Sequence, residues 1–380
     1  MEKESVSQKL DVPLFQKQNV PLLEKKLLDR IKASPLQLRI MHICGTHERT
    51  ISKAGLRNLL PEKLEVLSGP GCPVCVTPEK DIDIAISLAK SGVTVATFGD
   101  MLRVSGSAGS LLDAKAQGAD VRMVYGVDDA IALAEKKKSQ ELVFFGVGFE
   151  TTIPANAAAL LRGVPENFSL LASQKRTPQV TELLAETSGV NAFIAPGHVA
   201  TIIGTKPFEP LAKKGFPIVV SGFETFDILL GLNLILAQVE TRTSRVENGY
   251  PRAVKPEGNI IALKMMEEVF KPSDSEWRGI GKIKDSGLVL REEFEEQNAT
   301  KRYEDLYSPV LEEIRKKENK KEKKNCICAA VLTGKANPSQ CPNFGKSCTP
   351  KDPEGPCMVS FEGMCYNWFR YSRKGDSKLA

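Results

Sequence analysis

The sequence has no uninterrupted apolar run long enough to cross a membrane. Its longest, Ile228 to Val239, is broken by Asn233 and Gln238 and falls short of the roughly 20 residues a spanning helix requires. The opening residues, Met1-Glu2-Lys3-Glu4-Ser5, are charged and lack the apolar stretch of a secretory leader. A large charge excess is lacking too. Lys and Arg number 52 against 47 Asp and Glu, and the whole net charge of +5 lies in Arg315 to Lys324, which holds seven basic and two acidic residues. A single Lys-rich run is the pattern of a solvated helix face or linker rather than a nucleic-acid surface. The expectation is a soluble cytoplasmic protein with neither nucleic acid nor membrane as partner.

At 380 residues, 42% hydrophobic and 26% charged, the chain is long and apolar enough for two or three globular domains, which excludes disordered and fibrous classes. Nine cysteines stand out, unevenly placed: Cys44, Cys72 and Cys75 come early, and the other six follow Lys324. In a reducing compartment such clusters bind metal or carry redox chemistry more often than they form structural disulfides.

Short β-branched runs alternate with amphipathic stretches and end in Gly-containing turns, the signature of βα units on parallel sheets. A first set comprises Leu38 to Ile43, Leu64 to Leu67, Val93 to Thr97 and Val121 to Tyr125, with helices at Thr50 to Leu60, Glu79 to Ser91, Ser110 to Gln117 and Asp128 to Lys138. A second set begins with Leu142 to Val147 and continues with Ala192 to Ala195 and Pro217 to Val220. The expected fold is α/β, with two Rossmann-like parallel-sheet domains (residues 1–140 and 141–250) facing a cleft and a Cys-rich C-terminal domain (251–380). In open α/β sheets ligands bind beyond the carboxyl ends of the strands, so the polar turns should line the cleft. Past Tyr250, helical periodicity shows mainly at Asn259 to Phe270 and Glu292 to Lys324, and the cysteine-rich tail is poor enough in core residues to need a metal or cross-links.

Cys72-Pro73-Val74-Cys75 is a C-x-x-C pair directly after a strand, within one turn of each other, fit for a redox couple or for two metal ligands. Cys44, beside Thr46, His47 and Glu48 at the end of the preceding strand, can serve as a soft iron ligand or a nucleophile, and the three thiols should converge. Glu150 and His198 fall in matching turns of the second set and can offer an acid or base across the cleft, the competing reading being a helix cap or a satisfied polar group. Asp100 has the same two readings, and His42 reads as packing. The tail runs Cys326-x-Cys328, then Cys341, Cys348, Cys357 and Cys365, without the paired C-x2-C knuckles of most structural zinc sites. Dispersed thiols suit an iron–sulfur cubane, and alternate residues of an extended segment would bring both Cys326 and Cys328 to it.

Read in order, these motifs resemble the HypD family, maturation factors for the iron centre of [NiFe]-hydrogenases. The matching stretches are Cys44-Gly45-Thr46-His47-Glu48, Gly69-Pro70-Gly71-Cys72-Pro73-Val74-Cys75, Thr97-Phe98-Gly99-Asp100-Met101 and Gly148-Phe149-Glu150-Thr151-Thr152. They continue with Pro196-Gly197-His198-Val199, Trp277-Arg278-Gly279-Ile280-Gly281 and Cys357-Met358-Val359-Ser360-Phe361-Glu362-Gly363-Met364-Cys365. The resemblance implies a scaffold that, with a small HypC-type chaperone, holds Fe(II) while two cyanides and one carbon monoxide are attached. The cyanide would come from a HypE-type partner charged by a HypF-type enzyme. It implies Cys44 as iron ligand, Cys72 and Cys75 as a redox-active pair, and a [4Fe-4S] cluster on four tail cysteines, here assigned as Cys326, Cys341, Cys348 and Cys365, with Cys328 and Cys357 left as a second pair. Two other functions compete: a stand-alone iron–sulfur thiol–disulfide oxidoreductase, and a binding module with structural zinc.

Overall fold

The structure is a computed structural model that describes residues 20–318 and 326–371; the stretch of the Lys-rich run from residue 319 on lies outside the described residues. Strands β1 (Leu38–His42) and β2 (Leu64–Ser68) pair in parallel and begin sheet A. Both carry buried residues on both faces, as parallel strands covered by helices must. The chain then leaves this sheet. Strand β3 (Thr94–Thr97), a ribbon of β4 (Ser105–Gly106) and β5 (Gly109–Ser110), β6 (Val121–Met123), β7 (Leu142–Gly148) and β8 (Phe168–Lys175) follow, with β6, β3, β7 and β8 forming the parallel part of sheet B. It returns to sheet A for β9 (Ala192–Pro196), β10 (Ile218–Ser221) and β11 (Val246–Asn248), then adds to sheet B the hairpin β12 (Phe270–Trp277) and β13 (Gly281–Leu290), with β13 pairing antiparallel to β8. The strand orders are β11-β10-β9-β1-β2 and β12-β13-β8-β7-β3-β6.

The α/β class with two parallel-dominated sheets and a cysteine-rich C-terminal region is therefore as expected. The sorting of strands is not: β3 and β6 join β7 in sheet B, while β9 and β10 join β1 and β2 in sheet A. A strand's partners depend on which connection crosses over, and the local hydrophobic pattern carries no record of that. Helices form at Glu79–Lys90, Leu111–Ala116, Val127–Lys136 and Ile260–Val269, close to the expected spans. The expected Thr50–Leu60 helix is split into Gly45–Lys53 and Leu56–Leu59 by Gly55, whose φ of 63° lies in the left-handed region glycine tolerates. The helical reading of Glu292 onward is resolved into a short 3-10 segment at Glu292–Gln297 and helices at Ala299–Arg302 and Glu304–Glu318.

One core joins the facing sides of both sheets, combining Met41, Phe193 and Val220 of sheet A with Val95, Val143 and Phe145 of sheet B. The Glu79–Lys90 helix, buried throughout from Ile82 to Ala89, belongs to this middle layer. Separate clusters cover the outer faces: Phe144, Phe168 and Leu170 on sheet B, and Ile40, Ile194 and Val219 on sheet A. Among the described residues no helix is long and apolar enough to cross a membrane. Phe144, fully buried on β7, anchors the outer layer of sheet B. Phe144→Ala is expected to cost about 3–5 kcal/mol, read as a lower denaturant midpoint at unchanged slope.

Candidate functional site

In sheet A, β1 lies between β9 and β2, so parallel pairing sets three turns side by side at one edge: Gly197-His198, Cys44-Gly45 and Gly69 to Cys72. Backbone bonds fasten them. Gly45 N–H donates to Gly71 O (3.0 Å), Gly69 N–H to His42 O (2.8 Å) and Ile43 N–H to Ile194 O (3.2 Å). A Cβ on Gly71 would fall on the backbone N and Cα of Cys44, so only glycine permits this approach. Cys72 and Cys75 are joined as a disulfide with Cα atoms 5.3 Å apart, and the opening they line is shared with Gly45 and Glu362. The turns that carry the three early cysteines thus lie side by side, joined through their backbones.

Cys44 is the N-cap of the Gly45–Lys53 helix and is buried. Burial pushes its thiol up to about 12, while the backbone N–H groups of His47 and Thr46 and the Thr46 hydroxyl pull the other way. The positive end of the helix favours the thiolate without overcoming desolvation. His47 contacts Ser221 O through Nε2 (3.2 Å), which places its proton there; its Nδ1 has no partner among the described residues. Burial, with His42 nearby, drives His47 down to about 3, so the ring is neutral.

His42 is fully buried, which fits a packing residue, and it also carries hydrogen bonds: Nδ1 meets Cys44 O (3.2 Å) and Nε2 meets Glu48 Oε2 (3.1 Å). Burial lowers its pKa and Glu48 opposes that shift. Glu48 accepts both Arg57 Nη atoms (2.8 and 2.7 Å) and the Ser52 hydroxyl (2.5 Å). Although burial alone would raise Glu48, the Arg57 guanidinium and the His42 bond hold it well below the usual carboxylate range. All three histidines of the chain stand around the Cys44 turn or the turn beside it.

His198 and Glu150 are on different sheets, which corrects their placement in matching turns of one sheet. His198 follows β9 in sheet A, and its exposed ring stacks on Phe223 at 3.7 Å, which also neighbours His47 at 5.2 Å. Glu150 follows β7 in sheet B and is buried, with Oε1 accepting from Thr177 N–H (2.7 Å) at the start of the Thr177–Thr187 helix. Among the described residues the hydrogen bonds of the Glu150 carboxylate go to Thr177, and its Oε2 has no partner. Burial raises Glu150 to about 7, against the Thr177 bonds and Arg176.

Sequence reasoning missed Glu362 as a site residue, although it quoted the motif that contains it. The Glu362 backbone and Cβ press on Gly45, and burial, reinforced by Asp100, raises its carboxyl to about 7. Asp100 sits in the 3-10 turn after β3 and accepts the Ser360 hydroxyl (2.9 Å), tying sheet B to the C-terminal segment.

All six tail cysteines, Cys326, Cys328, Cys341, Cys348, Cys357 and Cys365, line one cavity completed by apolar Ile327, Val331, Phe344 and Met358. Cys328 begins the helix Cys328–Leu332 instead of extending from Cys326, yet both reach the wall. Cys328 Sγ and Cys357 Sγ stand 3.1 Å apart. Desolvation raises Cys365 well above the usual thiol range, with Cys328, Cys326, Cys348 and Cys341 adding to the rise; the sulfurs would repel one another as thiolates. Sulfur donors around an apolar chamber fit a thiolate-held iron–sulfur cluster, whose positive irons would cancel that repulsion. Among the described residues no three His, Cys, Asp or Glu side chains are gathered tightly enough for a single metal ion.

The sheet edge and the sulfur chamber define the class: an α/β protein with three cysteines on the turns of one sheet edge and a cysteine-rich cap. The family model for HypD, described as "Hydrogenase formation hypA family", matches residues 22–372. A putative hydrogenase expression/formation protein of Methanocaldococcus jannaschii is 45% identical over 359 residues, covering 92% of this chain and 98% of the relative. The hydrogenase maturation factor HypD of Escherichia coli is 41% identical over 345 residues, 89% of this chain and 90% of the relative. That of Cupriavidus necator is 39% identical over 366 residues, 92% and 94%. The chain belongs to the HypD family of hydrogenase maturation factors.

Glu150 generates a prediction about pH. Its folded pKa is raised, so the native state binds the extra proton and the stability it lends is full below about 4.5 and lost as pH rises through about 7. Glu150→Gln keeps an oxygen for Thr177 N–H and never ionises. Chemical denaturation from pH 4 to 8 should show a smaller fall in stability for the variant, by roughly 3 kcal/mol at the high end.

Proposed function

We propose that this chain is the scaffold on which, with a HypC-type chaperone, iron receives two cyanides and one carbon monoxide before transfer to a [NiFe]-hydrogenase. The observation that carries the reading is the meeting of the Cys44 and Cys72/Cys75 turns at one sheet edge, capped by a segment whose six cysteines face one chamber. Cys44 would be this chain's ligand to the iron being built. A low-spin Fe(II) with cyanide and carbon monoxide is soft and prefers thiolate to carboxylate, and binding it offsets the burial that keeps this thiol protonated. His47, neutral with a free Nδ1 lone pair, can accept a hydrogen bond at this edge, and the exposed His198 stands close by as a proton acceptor. Glu362, protonated below about 7, can give a proton at the same opening.

The [4Fe-4S] cluster is proposed for Cys326, Cys341, Cys348 and Cys365, because Cys328 and Cys357 already approach each other as a couple. Cys75 Sγ lies 3.9 Å from the carbonyl of Pro356, the residue before Cys357, so the couple adjoins the C-x-x-C pair. Reducing the Cys72–Cys75 disulfide takes two electrons and two protons, and a cluster would relay the electrons singly from an external reductant. Cyanide sources of the HypE type, charged by a HypF type, act outside this chain.

Infrared spectroscopy of the anaerobically purified complex with its chaperone tests the scaffold. Bands of bound cyanide and carbon monoxide are expected for the natural sequence and lost in Cys44→Ala; brown protein with active thiol exchange and no such bands would favour the stand-alone oxidoreductase instead. In a hydrogenase complementation assay, replacing Cys72 and Cys75 with Ser should abolish maturation, and undiminished maturation would remove the redox role.

A further inference from the structure

The side chains behind Cys44 form a continuous line into the C-terminal cap that the proposed chemistry does not use. Cys44 O accepts Glu48 N–H (3.1 Å) and contacts His42 Nδ1, so the peptide group that aims the thiol is fixed from two sides. His42 leans on Glu48, Glu48 is gripped by both Nη atoms of Arg57, and Arg57 Nε donates to Val66 O (3.0 Å) on β2. The Arg57 guanidinium in turn lies 5.3 Å over the ring of Trp368.

Trp368 is buried on the helix Met364–Tyr371, three residues after Cys365, and packs with Met364 and Val331 against the wall of the sulfur chamber. Its Nε1 has no hydrogen-bond partner among the described residues, so it is the ring face toward Arg57 that meets polar chemistry here. The first turn of this helix therefore carries a chamber cysteine and, one turn on, the ring that seats Arg57. A guanidinium whose three nitrogens are already committed to Glu48 and Val66 has one orientation, and a displaced ring would turn it.

We propose that Glu48, Arg57 and Trp368 are positioning residues that couple the filling of the cysteine chamber to the setting of the Cys44 turn. This rests on the reading that the chamber holds an iron–sulfur cluster. A cluster bonded to Cys365 pins the first helical turn, Trp368 holds Arg57, and the Glu48–His42 bond holds the Cys44 carbonyl. Without the cluster that turn lacks its Cys365 anchor and rests on the Asn367 bonds to Phe361 O and Gly363 O and on apolar packing, and the buried thiol opens to reagent more often.

The test is the alkylation rate of Cys44 by iodoacetamide, located by mass spectrometry, in full-length protein before and after reconstitution with ferrous iron and sulfide. The natural sequence should alkylate at least fivefold more slowly when loaded. Trp368→Leu, which replaces neither Glu48 nor Arg57, should lose that ratio while still taking up the brown cluster. Trp368→Phe keeps an aromatic face for the cation and should restore most of it. Should Trp368→Leu not fold, Arg57→Lys, which keeps the charge but not the fork, should reduce the ratio in its place. A loaded protein whose Cys44 reacts as fast as the unloaded one, or a Trp368→Leu protein that keeps the full ratio, overturns the relay alone. A chain that acquires no visible absorption on reconstitution overturns the cluster reading, and the relay with it.

Discussion

Three stretches of backbone distant in sequence meet around Cys44, and they do so because two of them present glycine. Gly71 brings the turn after β2 against the Cys44 backbone, and Gly45 accepts the chain at Glu362. A methyl group at either position would force the segments apart by more than a side-chain rotation can absorb, since the obstructing atoms include backbone. The disulfide and Glu362 share one opening with Gly45, beside the Cys44 turn, only at that spacing. Neither glycine offers a chemical group. Their missing Cβ atoms set the geometry on which every other residue acts.

Close approach brings burial, and burial favours neutral forms. It raises Cys44 and Glu362 and lowers His47 and His198, so the edge of sheet A is built from a thiol, imidazoles and a carboxyl that resist charge, and it raises Glu150 on sheet B likewise. Glu48 departs from this pattern because Arg57 supplies two charge-assisted bonds. In the scaffold reading, a cation delivered to this edge meets a thiol that must release a proton on binding, and the neutral His47 offers a free lone pair within the same shell of residues.

Much of this was legible in the sequence. Parallel strands buried on both faces read as unbroken apolar runs, so β1, β2, β3, β7, β9 and β10 could be found; β8 mixes Ser169, Ser173, Gln174 and Lys175, and β12 carries Pro272 with an exposed face, so neither announced itself. The C-x-x-C spacing and the tail cysteines pointed to sulfur chemistry because such residues are seldom idle in clusters. Which sheet received each strand was not legible, because crossover connections leave no local trace, and Glu150 was consequently set on the wrong side of the molecule relative to His198. The Glu48–Arg57–Trp368 line spans 320 positions of chain, and its members look like an ordinary helix carboxylate, a surface arginine and a terminal aromatic until the fold joins them.

The interleaved topology also decides where movement at the thiol edge is cheapest. The chain passes from sheet A to sheet B after β2, back after β8 and out again after β11, and one core fills the space between the sheets. Swinging the sheets apart would expose Phe145, Phe193 and their neighbours together, a loss of buried apolar area that a few polar contacts cannot offset. Among its described residues the cysteine-rich segment joins that core through only the buried Leu332, Cys357 and Val359, and discrete bonds complete its attachment: Arg103 to Pro350 O (2.7 Å), Arg39 to Gly334 O (3.3 Å), Ser360 to Asp100 and the Arg57–Trp368 stack. Elements with fewer shared apolar contacts open at lower free energy than the core they rest on. Access to Cys44 is therefore governed by how the C-terminal segment sits on the sheet edge, and what fills its own sulfur chamber is the natural determinant of that seating.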